Sequence, residues 1–116
     1  MQITLLKSKI HRAIVTDANL DYIGSISIDE SLMQAANLVE NEKVHVLSIT
    51  TGARIETYVI KAPANSGEIC INGAAAHLIK KEEMVIIVAY GRIEEESAGS
   101  FMPAIAHVNQ QNKLVD

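Results

Sequence analysis

The apolar residues of this chain recur in short alternating runs broken by turn-forming residues, and a helical period survives only over residues 29–39. Val44, Val46 and Ser48 share one parity, Thr51-Gly52 interrupts the run, and Ala53–Ala62 returns as a second β-prone stretch. The two are expected to pair as a hairpin. Residues 3–16 read as one or two strands in which Lys7, Lys9 and His11 project from one face. The stretch from Thr16 to Ser25 is turn-rich and is followed by a short strand, Ile26-Ser27-Ile28. Glu68–Ile71 is another short strand, ended by the Asn72-Gly73 turn signal, with one helical turn over Ala74–Leu78. Lys80–Glu83 reads as a solvated turn, and Met84–Tyr90 as the most apolar strand, too short to span a membrane. Residues 29–39 predict a helix capped by Asp29 or Ser27, with Leu32, Ala35, Ala36 and Val39 at helical spacing.

Many short strands and one or two short helices predict a mainly β domain, a small barrel whose closure removes exposed strand edges. A length of 116 residues argues for a single domain over 1–116, with residues 94–116 a partly ordered tail free to lie on a neighbour. The core must be aliphatic, since there is no Trp and only one Phe. So small a domain would gain from a subunit interface.

A net charge of −4 argues against nucleic acid, which selects a basic footprint, and the few aromatics leave little to stack on bases. Nothing suggests a membrane surface. Cys70 is the only cysteine, so no internal disulfide is available, and the first residues hold no sustained apolar run. The expectation is a cytoplasmic protein. Four His and one Cys lack metal-ligand spacing, so no metal is expected.

Gly24-Ser25 says little alone, because turns contain that pair constantly. Its company is more informative: Tyr22-Ile-Gly24-Ser25, Lys9-Ile-His11-Arg12, Arg54-Ile-Glu-Thr57-Tyr58, and Ile71-Asn72-Gly73-Ala74-Ala75-Ala76-His77. Together, in this order over roughly residues 1–105, these resemble the pyruvoyl-dependent aspartate 1-decarboxylases. The resemblance implies a double-psi β-barrel assembled as a homotetramer. It also implies conversion of L-aspartate to β-alanine and carbon dioxide, feeding pantothenate and hence coenzyme A synthesis.

The resemblance further implies that the chain is a zymogen that cuts itself into residues 1–24 and 25–116. The Ser25 hydroxyl attacks the Gly24 carbonyl, an ester forms by an N-to-O shift, elimination leaves dehydroalanine, and loss of ammonia leaves a pyruvoyl group. Thr57 matches the residue that steadies charge on the Gly24 oxygen during this processing. Gly24 permits backbone geometry that other residues resist. The pyruvoyl ketone forms a Schiff base with the substrate amine and serves as the electron sink, so no pyridoxal phosphate is expected. Tyr58 matches the proton donor to the α-carbon. Arg54 suits a bidentate clamp on the retained carboxylate, with Lys9 as a second point charge and Thr57 also in contact. Asn72 matches an amide that orients the reacting group, and Gly73, Ala74 and Ala75 a backbone segment lining the pocket. Leu47 stands where the family often has an aromatic residue, so the pocket wall departs there.

Other readings stay open. His11 shares a strand face with Lys9 and suits a site or a core position equally; Tyr22 suits the processing loop or simple packing. His77, His45 and His107 read as structural, as does Cys70, which has no evident base. A non-catalytic binding module on the same barrel is one alternative, although it would need neither Ser25 nor Tyr58. A hydrolase using Ser25 with His11 is another, but G-x-S-x-G is absent. Whether maturation needs a helper protein is left open, as is the subunit that supplies each site residue.

Overall fold

The computed structural model describes residues 1–115. Its strands are β1 (Gln2–Ile14), β2 (Asp17–Asn19), β3 (Ser25–Asp29), β4 (Lys43–Ser48), β5 (Arg54–Ala62), β6 (Ile69–Asn72), β7 (Met84–Glu94) and β8 (Ala104–His107), with one helix, α1 (Glu30–Ala35), and 3-10 turns at Gly73–His77 and Glu95–Ser100. Hydrogen-bonded neighbours run β2-β6-β3-β5-β4-β7-β1-β8. β2 continues directly from β1, so the two ends of this ribbon meet. Val15 N donates to Glu83 O (2.9 Å) beside β7, and Thr16 N donates to Ile69 O (2.8 Å) at β6. The ring β1/β2-β6-β3-β5-β4-β7 is thereby closed, with β8 added outside in parallel to β1. The pairs β2–β6 and β3–β5 are parallel within a largely antiparallel wall. This is a small, mainly β barrel, as the many short strands predict.

Alternation sorts each strand into an inner and an outer face. Ile10, Ile26, Ile28, Val44, Val46, Val59, Ile69, Ile71, Val85 and Ile87 fill the interior. Each such side chain stabilises the fold by about 1.5–3 kcal/mol through removal from water. β-branched residues serve both roles, favouring extended backbone and packing the pleat.

Several local expectations change. The helix is shorter than residues 29–39: Asp29 caps it by accepting from Ser31 N (2.8 Å), but Asn37 takes a left-handed φ of 55° and stops it. Leu32, Met33 and Ala36 face the core, whereas Ala35 and Val39 are exposed, so the helical spacing drawn through them does not mark the buried face. The turn-rich segment before Ser25 contains β2, recruited by Cys70–Asn72 of β6. Glu83 is buried rather than solvated, because its carboxylate accepts from Ser48 Oγ (2.6 Å) and Lys80 N (2.9 Å) and ties two turns together.

Residues 94–115, expected as a partly ordered tail, carry β8 on the chain's own β1 and a Val108–Leu114 bridge. Asn112 anchors this segment, accepting from Ile14 N (2.8 Å) and donating to Ile14 O and Gly67 O (2.8 Å each). Polar composition hid it: one buried amide satisfies three backbone groups. Asp116 lies outside the described residues. Among the described residues no helix is long and apolar enough to cross a membrane.

Candidate active site

β3 emerges from an exposed loop in which Tyr22, Ile23 and Gly24 face solvent, and it buries Ser25 at once, to 1% exposure. Alternation turns Ile26 and Ile28 into the core, so Ser25 and Ser27 lie on the barrel's outer wall. Antiparallel pairing sets Ser25 opposite Asn72 and Ser27 opposite Cys70 on β6. Asn72 Nδ2 donates to Ser25 Oγ and to Ser27 Oγ, 3.0 Å each, while Oδ1 accepts from the Cys70 thiol at 3.2 Å. The Ser25 hydroxyl donates to Ile23 O at 3.3 Å.

Gly73 follows Asn72 with a φ of +76°, which admits glycine most readily. A β-carbon there would lie 2.7 Å from Gly24 Cα and 2.9 Å from Gly24 N. The peptide before Ser25 therefore rests against bare backbone at Gly73. Ala74 is exposed and Ala75 half-buried on the 3-10 turn beyond it.

On the other side of β3, parallel pairing with β5 begins at Ile26–Val59. Continued back along both strands, that register sets Ser25 level with Tyr58 and Gly24 level with Thr57. Adjacent strands lie about 4.8 Å apart, so Tyr58 is a near neighbour of Ser25 on the outer wall. Thr57 takes the inner parity, between Ile55 and Val59.

Arg54 shares the outer face of β5 with Tyr58 but stands four residues away, about 13 Å along the strand. Its Nη2 lies 3.2 Å from His45 Nδ1 and 3.4 Å from Tyr90 Oη, toward β4 and β7 and away from β3. The guanidinium can only donate, so His45 Nδ1 accepts, and Nε2–H donates to Glu56 Oε1 at 3.1 Å. Lys43 also pairs with Glu56, at 3.7 Å. Lys9 joins this face, because it and His45 both lie opposite Val88. Lys43, His45, Val88 and Tyr90 line a cavity of about 200 Å³ here.

His11 is half-buried beside His107, with ring centroids 5.6 Å apart, and its Nδ1 has no partner among the described residues. Burial and then the charges of Lys9, His107 and Arg12 lower its pKa. Burial, Asp17 and Glu68 raise that of Cys70, so its thiol stays protonated and donates.

The residues singled out in the sequence thus form two groups. Ser25, Gly24, Tyr22, Asn72, Gly73, Thr57 and Tyr58 gather around the end of β3, and Lys9 and Arg54 lie on the β4–β7 face. His45 has a constellation after all: hairpin register alone would have set it opposite Glu56. Ser27 and Cys70 were passed over because a single polar residue on a strand carries no signal until its partner strand is known.

Ser25 is thus locked at a strand end level with the Tyr58 phenol, and a separate cationic face lies along β4 and β7. The sequence profile of the family described as aspartate decarboxylase matches residues 1–115. Among curated proteins, the "Aspartate 1-decarboxylase" of Acetivibrio thermocellus is 54% identical over 100% of this chain and 92% of its own length. That of Campylobacter concisus is 55% identical over 99% and 98%. Among solved structures, the computationally designed msDPBB_sym2 protein overlaps with a TM-score of 0.45 at 13% identity, over 73% of this chain and 96% of that one. The chain belongs to the aspartate decarboxylase family.

Proposed function

We propose that this chain is the zymogen of a pyruvoyl-dependent enzyme that cleaves itself at Gly24–Ser25 and then decarboxylates L-aspartate to β-alanine. The observation that carries this reading is the hydrogen bond from Asn72 Nδ2 to Oγ of the buried Ser25, beside a Gly24 backbone pressed against Gly73. Ser25 attacks the carbonyl of Gly24, and Thr57, level with Gly24 in the register, supplies a hydroxyl toward the developing oxyanion. The residues suit a pyruvoyl group at position 25: Asn72 offers a donor where the serine oxygen stood, and Gly73 leaves room for the new chain end. That group would supply the electron sink that lets the α-carboxylate leave.

The chain's own residues do the rest. Tyr58 holds the proton delivered to the α-carbon. Arg54 and Lys9 grip the carboxylate that is retained, while the departing one is left without a cation. Arg54 points away from Ser25 of its own chain, so it serves Ser25 of a neighbouring copy in a homotetramer. Tyr22 and His11 border that shared pocket, and the turn that carries Ala74 and Ala75 lines it. A role in supplying β-alanine for pantothenate and residence in the cytoplasm complete the proposal.

Intact mass under denaturing conditions tests it. Two fragments, of 24 and 92 residues, should meet between Gly24 and Ser25. Their summed mass should exceed the precursor by about 1 Da, for water gained and ammonia lost, whereas plain hydrolysis adds about 18 Da. Ser25→Ala should abolish cleavage and activity together. Decarboxylation retained in that variant would sink the reading.

A further inference from the structure

We propose that Cys70 and Ser27 are positioning residues for self-cleavage, acting through the side-chain amide of Asn72 to set the Ser25 hydroxyl for attack. The inference rests on the processing reading above and deepens it. Four polar side chains occupy two successive cross-strand pairs, Ser25–Asn72 and Ser27–Cys70, on the outer face of β3 and β6. Ser25, Ser27 and Asn72 are buried and Cys70 is half-buried. Only Ser25 and Asn72 have a role so far.

An asparagine amide can be turned end for end with little change of shape, so its neighbours decide which end faces the nucleophile. Here they hold the Nδ2 end toward the nucleophile. The Cys70 thiol donates to Oδ1 at 3.2 Å, and the two Nδ2 hydrogens go to Ser25 Oγ and Ser27 Oγ at 3.0 Å. In the reversed amide, Oδ1 would face both hydroxyls and draw the Ser25 proton toward itself, and Nδ2 would face the thiol. In the observed orientation the Ser25 proton points instead to Ile23 O at 3.3 Å. The hydroxyl rotamer is then held from two sides. The thiol also polarises the amide it donates to, strengthening the hydrogen bonds that the amide makes in turn.

This arrangement serves both steps of cleavage. In the first, Oγ bonds to the Gly24 carbonyl carbon, the Gly24–Ser25 C–N bond breaks, and the hydroxyl proton passes to the freed nitrogen, leaving an ester. In the second, the α-hydrogen of residue 25 passes to solvent as a proton, its electron pair forms the Cα–Cβ double bond, the Cβ–Oγ bond breaks, and Oγ departs within the new Gly24 carboxylate. A donor at Oγ stabilises the charge that collects there as it leaves. Ser27 accepts the second Nδ2 hydrogen, which would otherwise be buried without a partner.

The test follows the appearance of the two fragments by intact mass in freshly purified wild type, Ser27→Ala, Cys70→Val and Cys70→Ser, with thermal melting as the folding control. Loss of one orienting hydrogen bond should slow cleavage about tenfold in Cys70→Val and Ser27→Ala. Cys70→Ser, which keeps a donor at the same place, should cleave near the wild-type rate. A thiol that merely fills space predicts the opposite order, with the apolar valine at least as good as serine. Valine and serine variants cleaving alike would overturn the inference while leaving the processing reading intact. A wild-type chain that never cleaves would overturn both. Should Ser27→Ala fail to fold, the ordering of the two Cys70 variants decides alone.

Discussion

Gly73 presses its backbone so closely on Gly24 that a β-carbon at position 73 would stand 2.7 Å from Gly24 Cα. Two glycines far apart in sequence are thus one structural unit, and the bond between Gly24 and Ser25 is placed by both. Gly73→Ala should cost about 1 kcal/mol or more in stability, from the positive φ alone. It should also displace Gly24 and suppress cleavage more strongly than melting temperature. Mass spectrometry beside a thermal melt would separate the two effects; unimpaired cleavage would show that the contact does not place the bond.

Arg54 is held by His45, whose other ring nitrogen is held by Glu56. Arg54→Ala should raise KM for L-aspartate at least tenfold, since it removes a charge-assisted contact. His45→Leu should raise it less, because the guanidinium remains but loses its orientation. In both, the extent of self-cleavage should match wild type, because the proposed role of this face is to grip substrate and not to assist the Gly24–Ser25 cleavage. Steady-state kinetics on fully processed protein would show it, and an unchanged KM in Arg54→Ala would remove Arg54 from the substrate clamp.

Tyr58 stands level with Ser25 by the β3–β5 register, on the same outer face. Tyr58→Phe should therefore cleave normally and yet turn over far more slowly, by about a hundredfold for a lost general acid. Near-normal turnover would move the proton donor elsewhere.

Asn112 pins the C-terminal segment to the barrel through three backbone hydrogen bonds. Asn112→Ala leaves those groups buried without partners and should cost about 2–4 kcal/mol in urea unfolding. A loss below 1 kcal/mol would mean that water or a shifted neighbour replaces the amide.

Asp29 is fully buried, accepting from Ser31 Oγ (2.6 Å), Ser31 N (2.8 Å), Asn65 N (2.9 Å) and Gly67 N (2.8 Å). Burial raises its pKa, but the hydrogen bonds, led by Ser31 Oγ and Gly67 N, outweigh burial and leave it below the ordinary carboxylate value. The unfolded chain therefore binds the proton first as pH falls. The stability Asp29 contributes is full at neutral pH and is lost as pH drops through the carboxylate range. In Asp29→Asn the slope of urea midpoint against pH below 5 should flatten; an unchanged slope would assign acid sensitivity to other groups.

Much of the hairpin β4–β5 was legible because its alternation, its Thr-Gly turn and its return all agree locally. The helix was legible in place but not in length, since Asn37 ends it by a backbone conformation that apolar spacing does not encode. β2 and β8 were not legible at all. Both are three- or four-residue strands whose only support is a partner distant in sequence, β6 for one and β1 for the other.

Residue types and their order determined that this chain would be a small aliphatic β-barrel, and the resemblance of its motifs to a known family marked Ser25, Tyr58, Arg54 and Asn72 as the groups expected to carry chemistry. Strand alternation settled which of their neighbours face inward. Only the tertiary structure decided which of these groups meet. The pairing of β3 with β6 and β5 brings Asn72, Cys70 and Tyr58 to Ser25, and the Arg54 guanidinium leans across β4 instead. Side-chain character is local, but adjacency on a closed sheet depends on register between strands tens of residues apart, and that is fixed by the core as a whole.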